Sequence, residues 1–190
     1  MQTQPDTDGF LPKHGGFVNL ITFQKAEIIY DGTFYFAHNF LPKYDRTIDQ
    51  MIQAARSGKQ NIAEGSLNSG TSKEMEIKLT NVARSSLGEL MLDYKDFLRT
   101  RNLVCWDKNH PYYPRLSELH RIPNPTYETY KRGIENPSPE IAANVLLSLT
   151  NVTSYLLAKQ LKTLEKEFLT QGGLRERMTQ ARINVRKKHG

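Results

Sequence analysis

The chain has 190 residues, of which 38% are hydrophobic, and 26 Lys plus Arg against 20 Asp plus Glu give it a formal net charge of +6. This length predicts one domain with attachments, since domains typically hold about 100–200 residues. The single cysteine, Cys105, excludes an intramolecular disulfide, and the first six residues lack the basic and then apolar pattern of a secretory signal. These features predict a soluble protein of a reducing compartment, the cytoplasm.

Helical periodicity predicts four long helices, and no segment shows sustained strand alternation. The first helix covers about 19–41 and ends before Pro42. The second covers about 45–65, and Gly65 is expected to end it. The third begins after Ser72, a candidate N-cap, and carries the most regular apolar stripe. That stripe is expected to be buried and consists of Met75, Leu79, Val82, Ser86, Leu90, Tyr94 and Phe97.

The fourth helix begins at Pro139 and reaches about Gln171, where the pair Gly172 and Gly173 provides a cap or a hinge. Before it lies a proline-rich insertion, about 99–139, in which one short helix is expected at about 115–121. The pattern predicts an all-α fold: an antiparallel up-down four-helix bundle over 17–171, with a long connection between helices 3 and 4. A flexible N-terminus, 1–16, precedes it and a basic helical tail, 172–190, follows.

The fourth helix has no formal charge between Ile141 and Ala158, a length that raises the possibility of a membrane span. A polar stripe argues against a span, because such groups are costly in lipid. Its members are Asn144, Ser148, Asn151 and Ser154, opposite an apolar face of Ile141, Val145, Val152 and Leu156. An uncharged helix face predicts enclosure by a neighbouring subunit, hence a homo-oligomer without a membrane. The alternative is that the insertion folds back over this face.

Signals of catalysis or metal binding are sparse. The sequence has no Glu-x-x-His pair for a di-iron site and no two histidines at i, i+4 for a zinc site. His38 is expected to be partly buried and hydrogen-bonded, and Cys105 is expected to be a packed thiol because no histidine lies close to it in the sequence. The prediction is a protein without a catalytic site, a metal or a cofactor.

Two acidic residues, Glu64 and Glu89, lie close to the apolar stripes and beside small residues, a pattern that predicts buried carboxylates with partners. Arg56, Asn61 and Arg84 are the candidate partners by helical spacing. One interpretation is a polar site within or between subunits. The other is an ion-paired network that fixes the register of the helices.

The tail concentrates the positive charge. Residues 172–190 contain six basic side chains and one acidic one, which leaves 20 basic and 19 acidic residues in 1–171. As a helix, the tail carries an apolar stripe of Leu174, Met178, Ala181 and Val185. Arginine suits bidentate phosphate contacts, so nucleic acid is the expected partner and a solvated, solubilising tail is the alternative. The residues expected to contact phosphates are Arg175, Arg177, Arg182, Arg186, Lys187 and Lys188.

The run from Arg56 to Ser66 contains Asn61-Ile62-Ala63-Glu64-Gly65. It resembles the signature of the four-helix-bundle proteins encoded in intervening sequences of bacterial 23S ribosomal RNA genes. The segments 40–43, 72–75 and 86–90 also resemble that family, so the resemblance covers about 17–100 together with the fourth helix. The run Leu174-Arg175-Glu176-Arg177-Met178 is similar to a suffix domain found in some of its members. The family signature assigns Arg56, Asn61, Glu64, Gly65 and Glu89 as motif or structural polar positions.

This resemblance implies a ring of four-helix bundles, typically a pentamer, with no established catalytic activity. The family is similar in fold to the accessory variability protein of diversity-generating retroelements, a basic pentameric barrel that binds a reverse transcriptase and nucleic acid. Because the body of this chain is nearly neutral, the expected nucleic-acid contact moves to the tail. Two alternatives stay open: a protein-interaction scaffold, for example for a reverse transcriptase, anchored by Trp106, Tyr112 and Tyr113, and a hydrolase that uses Glu64 and Glu89.

Overall fold

The computed structural model describes residues 16–189, apart from the side chains of Gln171, Arg177, Lys188 and His189. The predicted N-terminal segment therefore lies almost wholly outside the described residues. Residues 16–189 contain helices and no strand, which confirms the all-α prediction. A single 3-10 turn, Phe17–Asn19, precedes seven α-helices within this range. They are α1 (Ile21–Phe40), α2 (Thr47–Asn68), α3 (Lys73–Thr100), α4 (Tyr113–Arg121), α5 (Tyr127–Ile134), α6 (Pro139–Gln171) and α7 (Leu174–His189).

Local sequence signals set most of the helix ends. The hydroxyl of Ser72 accepts a hydrogen bond from the backbone N–H of Met75 at 3.2 Å, so Ser72 is the N-cap of α3 as predicted. Pro139 is the first residue of α6, and Gly172, with a φ of 68°, ends that helix. The predicted stop at Gly65 is wrong, because α2 continues to Asn68 and Gly65 is buried inside it.

The four long helices α1, α2, α3 and α6 pack in a closed order of neighbours: α1 on α2, α2 on α3, α3 on α6 and α6 on α1. The short helix α5 packs on α1 and α6, and α4 packs on α6. An aromatic cluster joins α1 to α3, since the Phe36 ring lies 5.2 Å from the Tyr94 ring and 4.8 Å from the Phe97 ring, centroid to centroid. Edge-to-face contacts of this kind add stability beyond the area they bury.

The apolar stripe predicted for α3 is right in its second half and wrong in its first half. Met75 and Val82 are 41% and 38% exposed, and Leu79 is half-buried. The buried positions there are Glu76, Thr80 and Ala83. The physical reason is a close approach of the two helices at Gly65 of α2. A Cβ on Gly65 would lie 3.4 Å from Leu79 Cβ and 3.5 Å from the Glu76 carbonyl oxygen.

The insertion contains two helices, α4 and α5, where the sequence pattern predicted one. A signal for α5 was available. Tyr127, Tyr130 and Ile134 recur at i, i+3 and i+7, and Pro125 stands just ahead of Thr126. The N-cap residue Thr126 donates its backbone N–H to the Thr129 hydroxyl at 3.1 Å, which satisfies a free donor at the start of the helix.

The insertion covers only the first half of the uncharged face of α6. Asn144 is 3% exposed, donates to the carbonyl of Val104 at 2.8 Å and accepts from the N–H of Trp106 at 2.8 Å. Farther along the helix, Asn151 is exposed and Tyr155 is 58% exposed. The alternative in which the insertion folds back therefore holds for the first half of this face, and the second half is open.

The core side of α6 also differs from the prediction. Val152 and Leu156 are half-buried, whereas the fully enclosed line runs one position away through Leu146, Leu149, Thr150, Thr153 and Leu157. Two threonines are tolerated in that line because each donates its hydroxyl to a backbone carbonyl one turn earlier, Thr150 to Leu146 at 2.7 Å and Thr153 to Leu149 at 2.8 Å. Buried hydroxyls of this kind need such a partner.

Candidate nucleic-acid interface, buried network and pockets

The basic helix α7 stands largely apart from the other described helices. Gly172, at positive φ, ends α6, and the backbone N–H of Gly173 donates to Glu176 Oε2 at 3.0 Å, which begins α7. Four of the predicted phosphate contacts have exposed side chains: Arg175, Arg182, Arg186 and Lys187. The other two, Arg177 and Lys188, lie in α7, but their side chains are outside the described part of the structure.

Two of these arginines lie beside the apolar stripe of α7. Arg182 and Arg186 line the same shallow depression, of about 360 Å³, as Met178, Ala181 and Val185. The stripe is not buried within the chain, because Met178 and Val185 remain 40% and 57% exposed. The helix thus presents positive charge and apolar surface together to whatever binds there.

The acidic positions of the family-like motif are not buried. Arg56, Glu64 and Glu89 have exposed side chains, and Asn61 is half-buried. Within residues 16–189, none of these charged groups has an ion-pair partner within 4.0 Å. The expectation of buried carboxylates in an ion-paired network is therefore wrong.

The reason is helical register. Ile62 and Gly65 of α2 take the buried positions beside Glu64, while Leu87 and Leu90 do so beside Glu89. The polar contact that does join α2 to α3 is smaller, a hydrogen bond of 2.9 Å between the hydroxyls of Ser57 and Ser86. Asn61 supports it by donating its Nδ2 to the Ser57 hydroxyl at 3.2 Å.

A polar network that the sequence did not predict connects the insertion to α1 and α6. Lys25 is 1% exposed, and its Nζ donates to the backbone carbonyl of His120 at 3.2 Å and to the Tyr130 hydroxyl at 3.4 Å. The Tyr130 hydroxyl donates to the carbonyl of Leu119 at 3.1 Å. Since that hydroxyl has one proton, His120 Nδ1 is the donor in its 3.1 Å contact with Tyr130.

The other ring nitrogen of His120 completes the network. If Nδ1 carries the proton in the neutral ring, Nε2 accepts from the Ser148 hydroxyl, 2.8 Å away. Burial first, and then the positive charge of Lys25, lower the pKa of His120 from its ordinary value of 6.5 to about 4. Burial also lowers the pKa of Lys25. The network therefore favours a neutral imidazole at neutral pH.

A cavity of about 340 Å³ opens between α4, α5 and the start of α6. Trp106, Tyr112 and Tyr130 contribute aromatic wall, and Arg115 and Arg132 contribute guanidinium groups. The Trp106 indole stacks on the His110 imidazole, with ring centroids 4.3 Å apart and planes 8° apart. Cys105, just before it, is exposed, so the predicted packed thiol is wrong.

A second depression, of about 440 Å³, lies between α3 and the open half of α6. Arg84, Ser85 and Gly88 line one side, and Asn151, Ser154, Tyr155 and Ala158 line the other. A Cβ on Gly88 would meet nothing within 4 Å in this chain. His38, on α1, is exposed rather than partly buried, and its Nδ1 lies 2.8 Å from the Phe34 carbonyl.

Comparisons with known proteins add no identification: no family model, curated protein or solved structure matches the chain. In the part of the chain that the structure describes, no cluster of three His, Cys, Asp or Glu residues could hold a metal ion. One helical stretch there, Pro139–Glu176, is long and apolar enough to cross a membrane by composition, and 56% of its most apolar window is buried inside the protein. A core helix of a soluble protein has the same properties, so this stretch is weak evidence for a membrane.

Proposed function

We propose that this protein is a non-catalytic, oligomeric helical-bundle protein that binds RNA or DNA through phosphate contacts from α7. The observation that carries the proposal is the placement of charge. Arg175, Arg182, Arg186 and Lys187 are exposed on a helix with few contacts to the rest of the chain, while residues 1–171 are nearly neutral. A basic element set apart from a neutral body is typical of proteins that hold a polyanion.

Electrostatics within α7 favour an anionic partner. Arg182 and Arg186 are one helical turn apart, and like charges at that spacing destabilise a helix slightly. Phosphate groups bound between them remove that repulsion and accept paired hydrogen bonds from each guanidinium. Counterions released from the nucleic acid add a favourable term that depends on salt. No base-specific contact is part of this proposal.

We further propose that α1, α2, α3 and α6 form an antiparallel up-down four-helix bundle of the 23S ribosomal RNA intervening-sequence family, with α7 as its suffix domain. Two features support this: the closed order of neighbours among the four helices and the short connections 41–46 and 69–72. The family-like run Asn61–Gly65 lies on α2 at its contact with α3. Family membership carries with it a bacterial, cytoplasmic origin and a ring of subunits, typically five.

The groove between α3 and α6 is the surface that supports an oligomer. A glycine in the interior of a helix costs about 1 kcal/mol relative to alanine, and Gly88 has no neighbour in its own chain to explain it. Leu92, one turn farther along α3, is 61% exposed, and Tyr155 on α6 is 58% exposed. A second subunit packed against this groove would bury both side chains and use the close approach that Gly88 allows.

The tail is tested by measuring nucleic-acid binding of the full chain and of a chain that ends at Gln171, at several salt concentrations. We expect truncation to remove a salt-dependent component of binding. If all six basic residues contact phosphates, the log-log slope of that component is roughly −4 to −5, from about −0.7 to −0.9 per contact.

A matched pair of charge variants separates the tail from general charge. The first combines Arg175→Gln, Arg182→Gln and Arg186→Gln. The second removes the same charge from residues 1–171 and combines Lys78→Gln, Lys95→Gln and Arg121→Gln. All three of these positions are exposed. Only the tail variant should lose affinity. Equal binding by the full and truncated chains refutes the proposal.

Absence of binding by both chains favours the second candidate, a protein-interaction scaffold, for example for a reverse transcriptase. Exposed aromatic side chains in the insertion favour it, since Tyr112 is 53% and Tyr113 is 37% exposed beside Trp106. Aromatic residues are enriched among the anchors of protein interfaces.

The oligomer is tested by sedimentation of Tyr155→Ala beside Tyr44→Ala. Tyr44 is 90% exposed and lies in the connection between α1 and α2, away from the groove, so it is the matched control. We expect only Tyr155→Ala to shift the particle toward the 21.8 kDa protomer. A wild-type chain that sediments as a protomer excludes the oligomer.

A further inference from the structure

The cavity between α4, α5 and α6 lies outside the tail and the oligomer groove, and the proposed binding of nucleic acid by α7 does not use it. Its volume of about 340 Å³ falls at the lower end of the range for small-molecule sites, roughly 300–1,000 Å³. The floor is firmly packed, because Leu116 is 6%, Val145 4% and Tyr130 1% exposed. The insertion therefore forms a preshaped concave site rather than a surface irregularity.

The chemistry of the lining is aromatic and cationic. Trp106 and Tyr112 contribute accessible ring surface above the buried Tyr130, and Arg115 and Arg132 contribute guanidinium groups, whereas no Asp or Glu is among the lining residues. The buried amine of Lys25 lies behind the Tyr130 wall, with its Nζ 3.4 Å from the Tyr130 hydroxyl. The charged residues of the lining are therefore both arginines, and the Glu140 carboxylate outside it accepts from the Trp106 indole N–H at 3.4 Å.

The guanidinium groups are available to a ligand. Arg132 is exposed and has no carboxylate within 4.0 Å in the described part of the chain. Arg115 Nη1 lies 3.3 Å from Glu118 Oε2, but both side chains are more than 60% exposed. An ion pair this exposed contributes little, so a phosphate can replace it. The two arginines come from different helices, α4 and α5, which the cavity separates.

We propose that this cavity binds a nucleoside 5′-monophosphate unit, with the base in the aromatic cleft and the phosphate on Arg115 and Arg132. Bases stack on aromatic side chains with little sequence preference, and arginine forks match phosphate oxygens. The unit is either a free nucleotide or the unpaired 5′-phosphorylated end of a strand. The cavity is lined by residues between 106 and 145, with none from α7, so the proposal stands whether or not α7 binds nucleic acid.

The test uses the fluorescence of Trp106, the only tryptophan of the chain, as a direct reporter of the cavity. The full-length protein is titrated with adenosine 5′-monophosphate, adenosine, inorganic phosphate and a short 5′-phosphorylated oligonucleotide. We expect a saturable change with the nucleotide, and binding at least roughly tenfold weaker for adenosine and for phosphate, since each lacks half of the contacts. In the chain that ends at Gln171, which lacks α7, tighter binding of the oligonucleotide than of the nucleotide assigns the unit to a strand end, and the reverse assigns it to a free nucleotide.

Arg115→Gln and Arg132→Gln should each weaken nucleotide binding by roughly tenfold, the effect of a lost charge-assisted hydrogen bond. The matched control is Arg121→Gln, which removes the same charge from an exposed position of α4 that does not line the cavity. Circular dichroism checks that all three variants stay helical. The absence of a saturable change at millimolar nucleotide overturns the proposal, and so does equal binding by the Arg132 and Arg121 variants.

The same titration with the chain that ends at Gln171 separates this site from the tail. The cavity is intact in that chain, so its response to the mononucleotide should persist even if binding to long nucleic acid is lost. A nucleotide response that disappears on truncation places the bound phosphate on α7 and overturns the cavity assignment. Loss of long-strand binding alone leaves the cavity assignment in place.

Discussion

His120 makes the stability of this fold depend on pH in a narrow acidic window. The ring faces three polar groups from three other helices: the Lys25 amine on α1, the Tyr130 hydroxyl on α5 and the Ser148 hydroxyl on α6. None of these is a carboxylate that could stabilise an imidazolium. Burial and the charge of Lys25 lower the pKa of His120 from 6.5 to about 4. In the unfolded chain this pKa returns to its ordinary value.

Whether acid raises or lowers the free energy of unfolding depends on whether the folded or the unfolded chain binds the proton at His120 more tightly. Between pH 6.5 and about 4 the unfolded chain binds a proton at His120 that the folded chain does not, so acid favours unfolding. A pKa difference of about 2.5, at about 1.36 kcal/mol per unit, corresponds to about 3 kcal/mol. The ring keeps some contact with solvent, and we therefore expect about 2 kcal/mol of unfolding free energy to be lost across this window.

The assay is urea unfolding across pH 6.5 to 4 for the wild type and for His120→Gln, which does not titrate. The difference between the two profiles isolates this residue from the carboxylates, which titrate in both proteins. The wild type should lose stability more steeply than the variant as pH falls. His38→Gln is the matched control, because it makes the same substitution at an exposed histidine of α1 that lies outside the network.

Parallel profiles for the wild type and His120→Gln would refute the prediction that His120 is neutral in the folded chain. A direct check is the titration of the five histidines by NMR, with the His120 signal assigned through its loss in the variant. We expect its midpoint near 4. A His120 midpoint near 6.5 would show that the network does not exclude the charged form.

Two other predictions test the packing of the core. Gly32→Ala should destabilise the fold by about 1–3 kcal/mol, because its Cβ would lie 2.6 Å from Leu146 Cδ2. Gly65→Ala, whose Cβ meets only ordinary contacts from 3.4 Å, should be neutral or stabilise the fold by up to about 1 kcal/mol in the same thermal unfolding experiment, because alanine is the better helix former. Thr33 donates its only hydroxyl proton to a backbone carbonyl, so Tyr94 donates to Thr33 at 2.9 Å. Thr33→Val should therefore cost about 1–3 kcal/mol of unfolding free energy by leaving the Tyr94 hydroxyl without an acceptor. In the double variant, Tyr94→Phe removes that hydroxyl and should recover part of the loss. A double variant whose loss equals the sum of the two single losses would contradict this assignment.

The helix ends of the fold were predictable where a single residue decides them. Ser72, Pro139 and Gly172 act through their own backbone or side chain, and the structure places each at the expected end of a helix. Gly65 misled the prediction because a glycine inside a helix and a glycine that ends one look the same in a sequence. The difference lies in the neighbouring helix: Gly65 faces Leu79 and Thr80 of α3 at close range.

The candidate sites were likewise predictable only where the residues that form them are neighbours in the sequence. The charge of α7 is local in sequence, so composition alone locates it. The network of Lys25, His120, Tyr130 and Ser148 joins positions up to 123 residues apart in the sequence, and no spacing rule connects them. Glu64 and Glu89 were expected to be buried because they neighbour the apolar stripes. One position along a helix turns a side chain by about 100°, which is enough to move it from the core to solvent.

Because the insertion covers only part of α6, the position of the proposed subunit interface bears on where the proposed nucleic-acid contacts lie. The insertion occupies the first half of the uncharged face, so a neighbouring subunit can contact only the second half, from about Asn151 to Ala158. Gly172 lies 14 residues beyond Ala158, or about 21 Å along the helix axis at 1.5 Å per residue. A ring formed through this half of α6 therefore places all copies of α7 at one end, where weak phosphate contacts reinforce one another through effective concentration. A groove variant such as Tyr155→Ala should then weaken binding to a long strand while leaving the affinity of each tail for a short strand unchanged.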